Sequence, residues 1–228
     1  YDQIVSEVAK LRYRSGGEYP SKMVIRTPVG GGIRGGHYHS QHPEAQFIHV
    51  AGLKVVCPSN PYDAKGMLLA SIADPDPVLF FEPKRIYRAA KGDVPEGEYT
   101  VPLESAAVVR EGTHVTLLAY GAMLYEALDA AQKAAEQGVE TEVVDLRTLW
   151  PVDIGTIIGS VKKTGRLVIV DEAHLLRDGE RGVRLELLLA NIRREHPHVR
   201  LLLLTPFVEN AQAIATWLSD ERGQEVDV

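Results

Sequence analysis

Between Gly30 and Gln41 the chain reads Gly30-Gly31-Gly32-Ile33-Arg34-Gly35-Gly36-His37-Tyr38-His39-Ser40-Gln41, five glycines and two histidines in twelve residues. Glycine permits positive φ and lets a backbone approach a ligand closely, which suits a loop that forms a site. Histidine titrates near neutrality and can pass a proton to a reacting carbon or oxygen. The pattern therefore points to proton-transfer chemistry, with a mobile surface loop bearing solvated histidines as the even alternative. His37 and His39 also invite a metal reading. No cysteine joins them, which argues against zinc.

Strands must hold such a loop. Met23 to Arg26 reads as a short buried strand leading into it, after a helix over Asp2 to Leu11 that Gly16-Gly17 stops. Lys54 to Cys57 and Val78 to Glu82 read as two more buried strands, with a helix from Pro61 to about Ala73 between them. Ala90 to Leu103, rich in proline, glycine and acids, reads as a surface linker and domain boundary. Beyond it strands at Val115–Tyr120, Thr141–Leu146 and Arg166–Val170 alternate with helices at Met123–Gln137 and Ile154–Lys162. Leu185 to Arg194 reads as a helix that packs on the sheet, and Leu201 to Leu204 as one more parallel strand. Alternation with short loops predicts an α/β fold with a doubly wound parallel sheet.

The bulk properties narrow the function classes. With 228 residues, 45% hydrophobic and 25% charged, the chain can bury one large core or two small ones. A net charge of −6 argues against a general nucleic-acid-binding surface. The single cysteine, Cys57, precludes an intrachain disulfide framework and fits a reducing cytoplasm. No apolar run reaches the roughly 18 residues that a membrane span needs. Tyr1 reads as mid-helix, so further sequence upstream is expected.

Several runs carry a family resemblance. Leu11 to Gly17, Val24 to Pro28, His39-Ser40-Gln41-His42-Pro43-Glu44, Gly52 to Val56 and Pro61 to Gly66 resemble the β subunit of thiamine-diphosphate-dependent 2-oxo acid dehydrogenases. So do Phe80 to Lys84, Asp145 to Pro151 and Lys163 to Arg166, in that family's order and spacing, over residues 1 to about 173. Tyr87-Arg88-Ala89-Ala90 favours the branched-chain type.

The resemblance implies a transketolase-like fold. Residues 1–95 would form a partial pyrimidine-binding domain, and 96–228 a transketolase C-terminal-like α/β domain with an atypical tail from about 174. It implies oxidative decarboxylation of a 2-oxo acid on thiamine diphosphate, with acyl transfer to a lipoyl carrier. The family histidine falls on His39, as acid/base. A potassium site in such subunits falls on the turn with Ser71, Asp74 and Asp76, whose oxygens suit a hard cation; an ordinary Asp-Pro turn is the equal alternative. Partners implied are an α subunit, a second β subunit in a heterotetramer, and a lipoyl-bearing acyltransferase. The family's activating glutamate lies upstream of Tyr1. Its diphosphate and magnesium motif belongs to the α subunit, so the isolated chain is expected to be inactive.

From about Leu167 a second resemblance overlaps the first. Asp171-Glu172-Ala173-His174 after an apolar run resembles the Walker B motif of DEAD/DEAH-box helicases, where the aspartate binds magnesium through water and the glutamate polarises the attacking water. Thr205 to Ala211 and Ala213 to Leu218 resemble helicase elements further on. The sequence holds no Gly-x-x-x-x-Gly-Lys-Ser/Thr loop, so ATP hydrolysis is not expected. A non-catalytic recombined α/β protein is the third reading, and the extent of agreement favours the dehydrogenase subunit.

Overall fold

A strand buried on both faces needs an unbroken apolar run, and Val78-Leu79-Phe80-Phe81 supplies one at the centre of the first sheet. The computed structural model describes residues 1–31 and 33–170, and the backbone of 200–204. The first half contains α1 (Leu11–Arg14), β1 (Val24–Val29), α2 (Glu44–Phe47), β2 (Lys54–Val56), α3 (Pro61–Ala73) and β3 (Val78–Pro83). The second contains β4 (Ala107–Arg110), β5 (Val115–Ala119), α4 (Met123–Ala135), β6 (Thr141–Asp145), β7 (Thr148–Trp150), α5 (Ile154–Thr164), β8 (Arg166–Val170) and β9 (Arg200–Leu204).

The first sheet runs β1-β3-β2-β7, with β1 and β2 parallel to β3. Side chains alternate across it with period two. Val55, Leu79 and Phe81 pack on one face with Phe47, Leu53 and Leu149, while Val56, Val78 and Phe80 meet Met67 of α3 on the other. Helix α3 starts where the sequence says it must. Asn60 accepts a hydrogen bond from the Asp63 amide at 2.8 Å, and Pro61 occupies the first helical position.

The second sheet runs β4-β6-β5-β8-β9, and β5 lies parallel to both β6 and β8. Leu118, Val144, Leu167 and Ile169 face Ile157 and Val161 of α5; Leu117, Ala119 and Val143 face Leu124, Ala127 and Ala131 of α4. Helices thus cover both faces. Strand β9 adds in parallel beside β8, as the Leu201 to Leu204 run predicts. The tail helix expected before it lies outside the described residues.

The expected α/β fold with helices on a parallel sheet is what the structure shows, and each parallel sheet is extended by one antiparallel edge strand, β4 beside β6 and β7 beside β2. Only two residues separate β6 from β7, too few for a crossover back into the same sheet in parallel. The chain therefore leaves the second sheet and joins the edge of the first. Two expectations need correcting. Asp2 to Leu11 is not one helix but a π-helical turn over Gln3–Val8, followed by the short α1. The segment from Ala90 is not surface throughout, since Val101 is buried against α3 beside Met67. Gly66 makes that contact possible: a Cβ there would lie 2.5 Å from Val101 Cγ2 and 2.8 Å from the Tyr99 ring. No helix among the described residues is long and apolar enough to cross a membrane.

Candidate active site

The glycine loop leaves the carboxyl end of β1, the side of an open α/β sheet where ligand crevices form. Its base is closed by the Gly30 amide donating to the Gln41 carbonyl at 2.9 Å. His37, Tyr38 and His39 stand exposed, with the His37 and Tyr38 rings 4.1 Å apart between centroids. Lys84, one residue past β3, donates to the main-chain carbonyl of His39 and ties the histidine end of the loop to the first sheet. The side chain of His39 is left facing outward, available to a ligand or a partner.

Below the loop the sheets meet. A cavity of about 30 Å³, room for a single water, is walled by Gly30, Gly31, His42, Glu44, Cys57 and Gly121. Glu44 is almost fully buried and lies 3.2 Å from Nδ1 of His42. Burial pushes the Cys57 thiol well up, and the Glu44 and Asp145 carboxyls push the same way, so the thiol is inert. Gly121 has φ of +54°, and a Cβ there would lie 3.0 Å from Pro83 and 3.2 Å from the Cys57 sulfur. Only glycine lets the second half approach this closely.

A polar seam continues from that point. Ser59 Oγ donates to Asp145 Oδ1 at 3.0 Å and accepts from the Gly121 amide at 2.8 Å, while the Tyr125 hydroxyl donates to the Ser59 carbonyl at 2.8 Å. Burial drives the Asp145 carboxyl up to about 7, against the lowering effect of the hydrogen bonds from Ser59 and the Arg147 amide.

An open groove of about 480 Å³ lies over α3 and the end of β3, with Arg26, Leu68, Phe80, Glu82, Ile86 and Tyr87 among its walls. Arg26 Nε reaches Glu82 at 2.5 Å and the Tyr87 hydroxyl donates to the other Glu82 oxygen at 2.6 Å. Partial burial, then that hydrogen bond, raises the Tyr87 phenol to about 12.

The predicted cation turn has its side chains committed elsewhere. Ser71 is buried and donates to the Met67 carbonyl at 2.7 Å. Asp74 meets Lys54 at 2.8 Å, and Asp76 meets Arg12 at 2.8 Å. Asp74 also accepts from the Asp76 amide at 2.9 Å, the ordinary chemistry of an Asp turn. Among the described residues no cluster of three or more histidine, cysteine or acidic side chains could hold a metal. Asp171 and Glu172 lie outside the described residues. The paired His42 and Glu44 and the buried Ser59 and Asp145 were not singled out in the sequence. Glu44 and Asp145 sit within recognised runs, but nothing in a run of letters marks a carboxylate as buried.

The comparisons with known proteins follow this division of the chain. Residues 4–90 match the transketolase pyrimidine binding domain, and residues 104–176 match the transketolase C-terminal domain. The 2-oxoisovalerate dehydrogenase subunit beta of Pseudomonas aeruginosa is 51% identical over 188 residues, 75% of this chain and 53% of that protein. The pyruvate dehydrogenase E1 component subunit beta of Bacillus subtilis is 42% identical over 222 residues, covering 97% of this chain and 68% of its own length. The chain belongs to the β subunits of the 2-oxo acid dehydrogenases. It spans about half the length of the branched-chain relatives it matches. A solved structure, a split-gene transketolase described as an inactive β4 tetramer, shares the fold with a TM-score of 0.63 at 20% identity, over 86% of this chain and 61% of its own. The Bacillus match runs well past residue 173, and nothing among these relatives supports the helicase resemblance of the tail.

Proposed function

We propose that the chain acts as the β-subunit part of a thiamine-diphosphate-dependent 2-oxo acid dehydrogenase, oxidatively decarboxylating a 2-oxo acid and passing the acyl group to a lipoyl carrier. The observation that carries this reading is the 42% identity over almost the whole chain to such a subunit, with His39 presented on a loop at the carboxyl end of β1. Branched-chain substrates are favoured, by the 51% identity to a 2-oxoisovalerate dehydrogenase subunit. Its partners are an α subunit, a second β subunit completing a heterotetramer, and a lipoyl-bearing acyltransferase. The setting is the cytoplasm.

The residues present fit one side of the cofactor. A bound cofactor would meet the glycine loop and the exposed His39 it carries, because the cavity beneath the loop has room for one water and not for a ring. The diphosphate and its magnesium are assigned to the α subunit. When bound, thiamine diphosphate supplies the carbon nucleophile and the electron sink for loss of carbon dioxide. Around it, Lys84 holds the main chain at His39, and His39 delivers or removes a proton at the reacting group as the lipoyl arm arrives. The buried Glu44 orients His42 beneath the loop. Potassium does not fit the side chains of Ser71, Asp74 and Asp76, which are engaged with Met67, Lys54 and Arg12.

Titrating thiamine diphosphate and magnesium into the chain, with and without the purified α subunit of the Bacillus complex, tests the reading by calorimetry. Tight binding is expected only when the α subunit is present. Tight binding by the chain alone, or no association with the α subunit, would overturn it.

A further inference from the structure

We propose that Asp145 is a pH-responsive tie between the two halves of the chain, holding the seam while protonated and loosening it once ionised. This does not depend on the enzymatic reading.

The geometry sets up the device. Asp145 ends β6 on the second sheet and has no exposed surface. Its Oδ1 accepts from Ser59, which lies just before α3 in the first half, and from the Arg147 amide at 3.2 Å. Through Ser59 the tie reaches the Gly121 amide and the Tyr125 hydroxyl, so one carboxyl organises donors from both halves. Its other oxygen, Oδ2, is buried with no hydrogen-bond partner. An ionised carboxylate with one oxygen unsolvated and unbonded is costly in such a place; the neutral acid is much less so.

The surrounding charges do not relieve that cost. From α3, Asp63 faces the group and opposes ionisation, with Arg147 from the β6–β7 turn favouring it. The Arg147 guanidinium is shared among Asp63 and the Ser105 and Ala106 carbonyls. Cys57 at the end of β2 and Tyr125 on α4 are the other titratable groups that sense Asp145, and both are neutral at physiological pH. Desolvation therefore dominates.

The sign follows from linkage. A carboxyl raised from 3.8 to about 7 in the fold contributes its stability fully below the lower value. That contribution is lost as pH rises through about 7. Near neutrality a small change in pH thus shifts how firmly the halves are joined.

Thermal unfolding of the full chain and of Asp145→Asn, from about pH 5.5 to about pH 8.5, reads the tie directly. Asparagine keeps the acceptor for Ser59 and Arg147 but cannot ionise. The wild-type Tm is expected to fall relative to the variant as pH rises through neutrality, opening a gap of several degrees. A gap that stays constant with pH would refute the proposal. Carboxyl-carbon NMR of the wild type decides independently, should the variant not fold. An Asp145 resonance with a midpoint near neutrality, tracked by the Gly121 amide, supports the tie; a midpoint in the ordinary aspartate range, or a Gly121 amide indifferent to it, overturns it.

Discussion

Arg147 Nη1 donates to Asp63 Oδ1 at 3.2 Å, joining the two-residue turn after β6 to the first turn of α3. Both side chains are largely buried, and the guanidinium also donates to the Ser105 and Ala106 carbonyls. Arg147 adopts φ of +55°, an unusual conformation for a residue with a side chain, and it aims the guanidinium at these acceptors. The ion pair, the Ser59–Asp145 hydrogen bond and the pairing of β7 with β2 are three neighbouring attachments of the second half to the first.

Removing one member of the pair is therefore expected to be severe. Arg147→Ala strands the Asp63 charge and leaves two carbonyls without their donor, so a loss of about 3–5 kcal/mol is expected. Arg147→Lys restores charge without the planar fork and should recover only part of it. Denaturant unfolding of the three proteins checks the order.

How much of this was legible beforehand depends on the kind of signal. The strands at 78–83 and 166–170 were plain because a run such as Val78-Leu79-Phe80-Phe81 has few other places to go. The glycine loop was found from composition, and it does sit at the carboxyl end of a strand. Strand β4 was missed because Val108 and Val109 are each 40% exposed on a sheet edge, where no apolar run is required. Strand β7 was hidden because pairing across two sheets is set by the short Leu146–Arg147 turn, not by local periodicity. The seam was illegible for a different reason. Ser59, Asp145 and Gly121 lie far apart in sequence, and only the packed fold brings them within hydrogen-bond range.

His39 separates the proton-transfer reading from that of a solvated loop. In a full-length β subunit carrying this chain's loop and paired with an α subunit, His39→Ala is expected to lower turnover by about 10²–10⁴-fold. Because the side chain is exposed, assembly should be unaffected, and size-exclusion chromatography should show the same complex. Unchanged turnover would assign His39 to the solvated loop.

Tyr87 offers a spectroscopic check on the groove. Its phenol is raised to about 12 from 10.0, so its contribution to stability is intact below pH 10 and lost as pH rises towards 12. Ultraviolet titration of the tyrosines should show a late-ionising phenol that disappears in Tyr87→Phe. Glu82→Gln should bring that phenol to lower pH, because the hydrogen-bond acceptor loses its charge.

The segment of residues 90–103, which straps over α3 through Val101, makes a steric prediction. Gly66→Ala would force a Cβ to within 2.5 Å of Val101 Cγ2 and 3.0 Å of the Val101 amide nitrogen, and main chain cannot yield as a flexible side chain does. The strap must lift, carrying Val101 out of the cluster with Met67, Val78 and Phe80. A loss of about 1–3 kcal/mol is expected, the usual cost of overpacking a filled site. Limited proteolysis locates it: cleavage between residues 90 and 103 should accelerate while the rest of the digest pattern stays the same.

The turn at Ser71 to Asp76 gives a prediction about ions. A potassium ion held by Asp74 and Asp76 would have to displace Lys54 and Arg12, which already sit at 2.8 Å from the two carboxylates. Lys54 also reaches Glu104 at 2.8 Å, so its ammonium joins β2 to both the turn and the residue that follows the 90–103 segment. The protein thus supplies its own cations at this place. Exchanging potassium for choline at constant ionic strength is expected to leave the Tm of the chain unchanged. Lys54→Met should lower it, because a largely buried Asp74 then loses its partner. If potassium raised the Tm of the wild type, and raised it further in Lys54→Met, the ion would be binding the carboxylates that the lysine now occupies, and the assignment of this turn to internal ion pairs would fail.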